Sequence, residues 1–161
     1  MKKIYSVWVE NRFGVLSKVA ALFARRSYNI DSLTVGETQD KTVSSMTIVS
    51  SGTTHTLEQI EKQLNKKLDV IKVRTYAEDK AILREVILIK IKYVSAERRE
   101  LMEICEFLKA DIVDTSNTHM VITLCDTPER VDNLISMLRK FNIVELTRTG
   151  TLAMPKCSEA D

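Results

Sequence analysis

An order of apolar periodicities that occurs twice restricts the fold of this chain more than any other feature. The first half reads strand, helix, strand, strand, helix, strand, by two-residue alternation and by three-to-four-residue spacing of apolar side chains. The predicted strands cover 4–9, 31–37, 43–50 and 69–75. The apolar faces of the two predicted helices consist of Val15, Leu16, Val19, Leu22 and Phe23, and of Leu57, Ile60, Leu64 and Leu68. Thr56, with Gln59 three residues later, is the predicted N-cap of the second helix.

The second half repeats this order without repeating the sequence. Its predicted strands cover 85–93, 111–116, 120–125 and 142–149. Ser95 and Thr127, the latter before Pro128, are the predicted N-caps of its helices. Their apolar faces consist of Leu101, Ile104, Cys105 and Leu108, and of Val131, Leu134, Ile135 and Leu138. Right-handed crossovers place both helices of such a unit on one face of a four-stranded antiparallel sheet. The predicted fold class is therefore α+β, with two tandem ferredoxin-like βαββαβ units separated within the charged stretch 76–85.

Composition excludes several of the functions that this fold serves. The 24 basic and 22 acidic residues give a formal net charge of only +2, which implies neither a nucleic-acid nor a membrane partner. The third predicted strand has no aromatic side chain on which an RNA base could stack. The N-terminal apolar run is short and is broken by Glu10 and Asn11, so it predicts a strand and not a secretory signal. We therefore expect a cytoplasmic protein.

No catalytic residue and no metal site are predicted. The two histidines, His55 and His119, belong to different units, and each is explained as a solvated side chain. The four glycines are too scattered to form a phosphate-binding loop. The three cysteines lack the CxxC spacing and the neighbouring histidine that a zinc site requires.

The loop before the first helix has the chemistry to bind a small zwitterion. Gly14 permits a tight turn and close approach of a ligand, and the N–H groups of Gly14, Val15 and Leu16 begin a helix whose positive end favours a carboxylate. The amide of Asn11 can meet a carboxylate or an ammonium group without adding charge. The alternative interpretation, in which Gly14 only makes the turn and Asn11 only ends the strand, stays open on these residues alone.

A longer pattern points to one family. The segments "NRFGVLSKVAALFARRSYNIDSLTVGET", "MTIVSSG" and "LEQIEKQLNKKLDVIKV" resemble the ACT amino-acid-sensing domain of the small, regulatory subunits of acetolactate (acetohydroxyacid) synthase. The resemblance continues through "REVILIKI", "ADIVDTS" and "VELTRTGTLAM" into the C-terminal domain of that family. It implies an ACT domain at 1–78 and a C-terminal ferredoxin-like domain at 79–161.

Membership of this family would imply a non-catalytic subunit. It would activate a large catalytic subunit, on which thiamine diphosphate, Mg²⁺ and FAD are expected, and would mediate feedback inhibition by valine in branched-chain amino acid biosynthesis. No cofactor is expected on this chain. Two ACT domains would form a homodimer and hold the effector between them. The implied effector-binding residues are Asn11, Gly14, Val15 and Leu16 from one chain, and Asn29 and Ile30 from the other.

Some residues and functions remain open at this stage. Ser27 stands where the family usually has glycine, so it must either accept a left-handed conformation or end the helix differently. Arg148, Thr149 and Gly150 could contact the catalytic subunit or form a structural turn. The chain could also be an ACT-domain sensor that regulates another enzyme or a transcription factor, or an enzyme in its own right.

Overall fold

The computed structural model describes residues 1–159, which form two compact units. The first comprises residues 1–82 together with the described residues from 151 onward, and the second comprises 83–150. The first half of the chain forms β1 (Lys2–Glu10), α1 (Val15–Arg25), β2 (Ser32–Glu37), β3 (Val43–Ser51), α2 (Thr54–Asn65) and β4 (Val70–Tyr76). The second half forms β5 (Ala81–Lys92), α3 (Arg98–Leu108), β6 (Asp111–Thr115), β7 (His119–Asp126), α4 (Pro128–Leu138), β8 (Asn142–Arg148) and β9 (Leu152–Pro155).

Each unit contains the predicted antiparallel sheet with its helices on one face. The strand order is β2-β3-β1-β4 in the first unit and β6-β7-β5-β8 in the second. The first core consists of Tyr5, Val7, Val9, Val15, Val19, Leu22, Phe23, Met46, Ile48, Leu57, Ile60 and Leu64. The second core includes Ile87, Ile89, Ile91, Leu101, Ile104, Cys105, Leu108, Met120, Ile122, Leu124, Val131, Leu134 and Leu138. The predicted α+β class and the βαββαβ order are confirmed.

Two residues of the predicted apolar helix faces are not in the core. Leu68 is 99% exposed, because α2 ends at Asn65 and the chain has already left the helix. Leu16 is 43% exposed, because Val15 takes the buried position in the first turn of α1. The Leu68 prediction extended the apolar spacing past the end of α2, whereas Leu16 lies within α1 but outside its buried face.

Two of the three predicted helix N-caps are wrong. Thr53, and not Thr56, caps α2, with its Oγ1 accepting a hydrogen bond from the Thr56 N–H (3.2 Å). Glu97, and not Ser95, precedes α3, and its side chain makes no capping hydrogen bond. Thr127 caps α4 as predicted, accepting from the Arg130 N–H. Thr53 and Thr56 are both followed by helix-compatible residues, so the sequence pattern could not distinguish a start three residues earlier.

The C-terminal strand β9 belongs to the first compact unit, although the family resemblance implies a C-terminal domain at 79–161. The Thr151 N–H donates to Ser32 Oγ (2.8 Å), and Thr34 Oγ1 donates to the Thr151 carbonyl (3.4 Å). Thr34 pairs with Thr47 on the sheet face opposite the helices, so the segment from 151 covers that face. β9 also pairs with β5, whose first residues belong to the first unit.

Candidate functional site

The start of α1 has the geometry that a bound anion requires. Gly14 occupies the N-cap in a left-handed conformation (φ 81°, ψ −4°), and no side chain caps the helix. The first bond of the helix runs from the Lys18 N–H to the Gly14 carbonyl (3.0 Å), so the N–H groups before Lys18 have no acceptor inside the helix. The Val15 N–H, predicted to be free, donates to the Arg12 carbonyl at 3.3 Å. The groups left for an anion therefore centre on Gly14 and Leu16.

Asn11 has a structural role as a donor and remains available as an acceptor. Its Nδ2 donates to Glu37 Oε1 (3.1 Å) and to the Lys41 carbonyl (2.9 Å), and its N–H donates to the Thr42 carbonyl (2.7 Å). These bonds tie the loop before α1 to the end of β2 and to the turn that follows. Since both amide hydrogens are used, the Asn11 side chain offers a ligand its Oδ1 only.

The turn opposite Asn11 is fixed by Asp40. Hydrogen bonds from the Thr42 hydroxyl and N–H hold the pKa of the Asp40 carboxyl below its usual value. This turn carries the Lys41 carbonyl that accepts from Asn11. The position of Asn11 is thus set by contacts within its own unit.

Asn29 and Ile30 lie at the other end of β2. Asn29 Nδ2 donates to the Asp31 carboxylate, and its carbonyl accepts from Ser50 Oγ (2.5 Å). Ile30 is partly buried against the first core. Like Asn11, Asn29 donates its side-chain amide to a carboxylate of its own chain. The sequence did not single out either carboxylate, because Glu37 and Asp31 carry no pattern that separates them from solvated acids.

Ser27 resolves the question of how α1 ends. It adopts the left-handed conformation (φ 54°), and the Tyr28 N–H donates to the Phe23 carbonyl (3.0 Å) across it. These are the features of a Schellman ending, in which glycine is usual. Ser27 therefore adopts the strained left-handed conformation, and α1 ends with the backbone geometry that a glycine at this position would give.

One chain does not bring the two sets of predicted site residues together. Asn11 contacts Glu37, the last residue of β2, whereas Asn29 precedes the first residue of that strand. β2 has six residues, which at ~3.3 Å per residue span about 20 Å. Asn11, Gly14, Val15 and Leu16 therefore form one group and Asn29 and Ile30 another, at opposite ends of the edge strand.

Apolar side chains are exposed on the same edge of the first unit. Val35, on the helix side of β2, is 41% exposed, Leu16 is exposed to a similar degree, and Phe13 is fully exposed. Only a partner chain or a ligand could bury these side chains. An effector with an aliphatic side chain would find apolar contacts there.

Arg148 contributes to the structure of the second unit. Its guanidinium pairs with Glu85, which is only 4% exposed, and donates from Nη1 to Asp132 Oδ1 (3.0 Å). The Thr149 N–H donates to the Val86 carbonyl (3.0 Å), and Gly150 turns the chain at φ 86°. These contacts favour the interpretation of this segment as a structural turn.

The histidines and acids provide no site in the part of the chain that the structure describes. His55 is exposed on α2, and His119 Nδ1 lies 2.9 Å from Thr118 Oγ1 at the start of β7. Within residues 1–159, no three histidine, cysteine or acidic side chains form a group that could hold a metal ion. Among the same residues, no helix is both long and apolar enough to cross a bilayer.

Family models match both units. Residues 5–72 match the model of the ACT domain of acetohydroxyacid synthase small subunits, and residues 84–157 match the model described as the small subunit of acetolactate synthase. Together the two matches cover most of the chain.

Individual relatives agree with these matches. The chain is 40% identical to the acetolactate synthase small subunit of Haemophilus influenzae over 157 residues, which cover 97% of this chain and 96% of that protein. It is 42% identical to a probable acetolactate synthase small subunit of Archaeoglobus fulgidus, with 96% of each chain covered. The crystal structure of the small subunit from Thermotoga maritima superposes with a TM-score of 0.90 at 34% identity, covering 97% of this chain and 98% of that one.

These names refer to the small subunit of the enzyme in each organism and not to its catalytic subunit. The identity is spread over nearly the full length of both units, and the fold of the solved relative is the same. The chain therefore belongs to the family of acetolactate synthase small subunits.

Proposed function

We propose that this chain is the regulatory subunit that activates the thiamine-diphosphate-dependent catalytic subunit of acetolactate synthase and mediates its feedback inhibition by valine. The uncapped helix start at Gly14 is the single observation that carries the effector part of this proposal, because it offers N–H groups to a carboxylate. Thiamine diphosphate, Mg²⁺ and FAD belong to the catalytic subunit in this proposal. The complex works in the cytoplasm, with neither nucleic acid nor membrane as a partner.

The edge strand β2 supports a homodimer. It lies at one edge of its sheet, and Glu37 is the only charged residue in its sequence "SLTVGE". The opposite edge strand, β4, carries Lys72 and Arg74, which guard an edge against pairing. We therefore place the dimer interface along β2, where antiparallel pairing with a second copy forms one continuous sheet.

Antiparallel pairing also completes the effector site. A twofold axis near the middle of β2 brings the start of one β2 beside the end of the other. Asn29 and Ile30 of one chain then lie close to Asn11 and Gly14 of its partner, which one chain alone keeps about 20 Å apart. By symmetry the dimer has two such sites.

The effector occupies this site in a defined orientation. Its carboxylate accepts from the N–H groups of Gly14 and Leu16, and its ammonium group faces the Oδ1 atoms of Asn11 and of Asn29 from the partner chain. Its aliphatic side chain lies against Leu16 and Val35, which are exposed in one chain alone. Valine fits these three requirements.

Inhibition requires the effector to bind one arrangement of the dimer better than another. A site divided between two chains provides this dependence, because any change in the angle between the two chains moves one half of the site relative to the other. A coupling of about 1–3 kcal/mol between effector and catalytic subunit suffices for allosteric control.

Reconstitution tests the proposal. The chain is mixed with the purified catalytic subunit of acetolactate synthase, and acetolactate formation is measured with and without valine. We expect the chain to raise the activity and valine to lower it again. Capture of a different enzyme or of a transcription factor in place of the catalytic subunit would contradict the assignment.

A further inference from the structure

Asp31 is held in a fixed position next to the proposed effector site. Its carboxylate accepts hydrogen bonds from Asn29 Nδ2 and from Ser51 Oγ, and its backbone N–H donates to the Val49 carbonyl (2.8 Å). The side chain is exposed. Two hydrogen bonds to the side chain and one from the backbone therefore fix a carboxylate that still faces solvent.

The negative charge of Asp31 has no cationic partner among the described residues. Two other acids of the first unit are paired with a lysine, Glu61 with Lys3 and Asp69 with Lys18 at 2.7 and 2.8 Å. The donors that hold Asp31 are a neutral amide and a neutral hydroxyl. They orient the carboxylate and leave its charge uncompensated.

A bound amino acid needs such a charge. Its carboxylate is accounted for by the helix start at Gly14, but the residues implied for the effector site include no acid for its ammonium group. Desolvating an ammonium group without an anionic partner is costly, and a hydrogen bond to a charged partner is stronger than one to a neutral partner. The Oδ1 atoms of Asn11 and Asn29 alone leave this requirement unmet.

The position of Asp31 fits the requirement. Asp31 is hydrogen-bonded to Asn29, and both residues directly precede β2. The proposed dimer places this end of β2 beside the Gly14 loop of the partner chain. In the paired dimer, Asp31 of one chain therefore approaches the Gly14 loop of the other.

We propose that Asp31 is the counter-ion of the effector's ammonium group and makes the site selective for α-amino acids over their deaminated analogues. This role rests on the proposed effector site between two chains. It gives Asp31 a function in ligand selection in addition to its contacts with Asn29 and Ser51.

Glu37 is the other acid near this edge, and its position suits the role less well. It accepts one hydrogen bond, from Asn11, and belongs to the same chain as the Gly14 N–H groups that take the ligand's carboxylate. The ammonium group projects away from that carboxylate, toward the partner chain. Asp31 of the partner is on that side.

The test compares two ligands and four variants of the full chain. Valine and isovalerate differ by the ammonium group alone, and calorimetric titration gives the affinity for each. Asp31→Asn keeps the shape and removes the charge, Asp31→Glu keeps the charge, and Glu58→Gln removes an exposed acid of α2 as a matched control. Glu37→Gln tests the alternative counter-ion.

We expect Asp31→Asn to lose about tenfold or more in valine affinity while its affinity for isovalerate is unchanged or improved. Asp31→Glu should keep a preference for valine, and Glu58→Gln should behave as the parent. The preference for valine over isovalerate would then depend on the charge at position 31.

Three results would overturn the role of Asp31. They are an undiminished preference for valine in Asp31→Asn, an equal loss for both ligands in Asp31→Asn and Asp31→Glu, and a loss of the preference in Glu37→Gln alone. If the parent chain itself binds no valine, the proposed function fails together with this role. Valine binding that is unaffected by Asp31→Asn refutes only the role of Asp31.

Discussion

Replacing Gly14 by aspartate should separate activation from inhibition. Gly14 has φ 81°, and a Cβ built on it meets no atom within 4 Å in one chain. The cost to folding is therefore conformational, about 1–2 kcal/mol for a non-glycine residue in the left-handed region. This cost applies to Gly14→Ala as well, so alanine is the matched control for the strain.

The difference between the two variants comes from charge. For the estimate we take the aspartate carboxylate to lie about 4 Å from the site proposed for the effector's carboxylate. Two unit charges at that distance repel by about 1 kcal/mol in water and about 4 kcal/mol at an effective dielectric constant near 20. At tenfold per 1.4 kcal/mol, valine should bind from about 5-fold to about 700-fold more weakly to Gly14→Asp than to Gly14→Ala.

The assay measures both functions in the reconstituted enzyme. Acetolactate formation is followed as a function of valine concentration for the parent, Gly14→Ala and Gly14→Asp, and urea unfolding gives the stability of each chain. We expect Gly14→Asp to activate the catalytic subunit and to resist valine. A Gly14→Asp chain that folds, binds the catalytic subunit and is as sensitive to valine as Gly14→Ala would refute the placement of the carboxylate.

Three further predictions concern stability. Ser27→Gly should stabilise the chain by about 1 kcal/mol in urea unfolding, because it relieves the left-handed strain at the end of α1 and keeps the hydrogen bonds there; an unchanged midpoint would contradict this. Tyr5→Phe should cost about 1–2 kcal/mol at neutral pH, because it removes the buried 2.7 Å hydrogen bond to the Leu57 carbonyl. Burial and, to a lesser extent, the charge of a nearby acid raise the pKa of Tyr5 above its usual 10.0. As the pH rises, Tyr5 therefore ionises first in the unfolded state, which stabilises that state. The free energy of unfolding of the parent, followed by circular dichroism, should fall as the pH rises above about 10. A Tyr5→Phe chain whose free energy of unfolding falls equally steeply would contradict this. A fragment ending at Lys80 should be less stable than the first unit of the whole chain by about 2 kcal/mol or more, because it lacks the Thr151 segment; equal thermal midpoints would exclude that contribution.

The fold could be predicted from sequence where one apolar periodicity extends along a single strand or helix and ends with it. Ile87, Ile89 and Ile91 alternate along β5, and all three are fully buried, because one face of that strand packs against helices and the other does not. Leu68 continues the apolar spacing of α2 but is exposed, because a spacing pattern does not say where a helix stops. The strand β9 could not be found at all, since its contacts are with residues far away in sequence.

The candidate site could be predicted in part. Gly14 stands out because a left-handed turn before a helix demands glycine, and Asn11 because it precedes that turn. The roles of Asp31 and Glu37 could not be found in this way, because an acid that orients an amide and an acid in solvent have the same local sequence. Only the contacts with Asn29 and Asn11 distinguish them.

The return of β9 to the first unit makes the order of synthesis relevant to folding. Residues 83–150 form the second unit and are translated before the segment that covers the outer face of the first sheet. At about 5–20 residues per second, those roughly 70 residues take several seconds to make. For that time the N-terminal sheet lacks the Thr151 segment that is hydrogen-bonded to Ser32 and Thr34, so the unit that starts first is finished last. A stop codon after position 150 would therefore remove contacts from the N-terminal unit, although that unit lies at the opposite end of the chain.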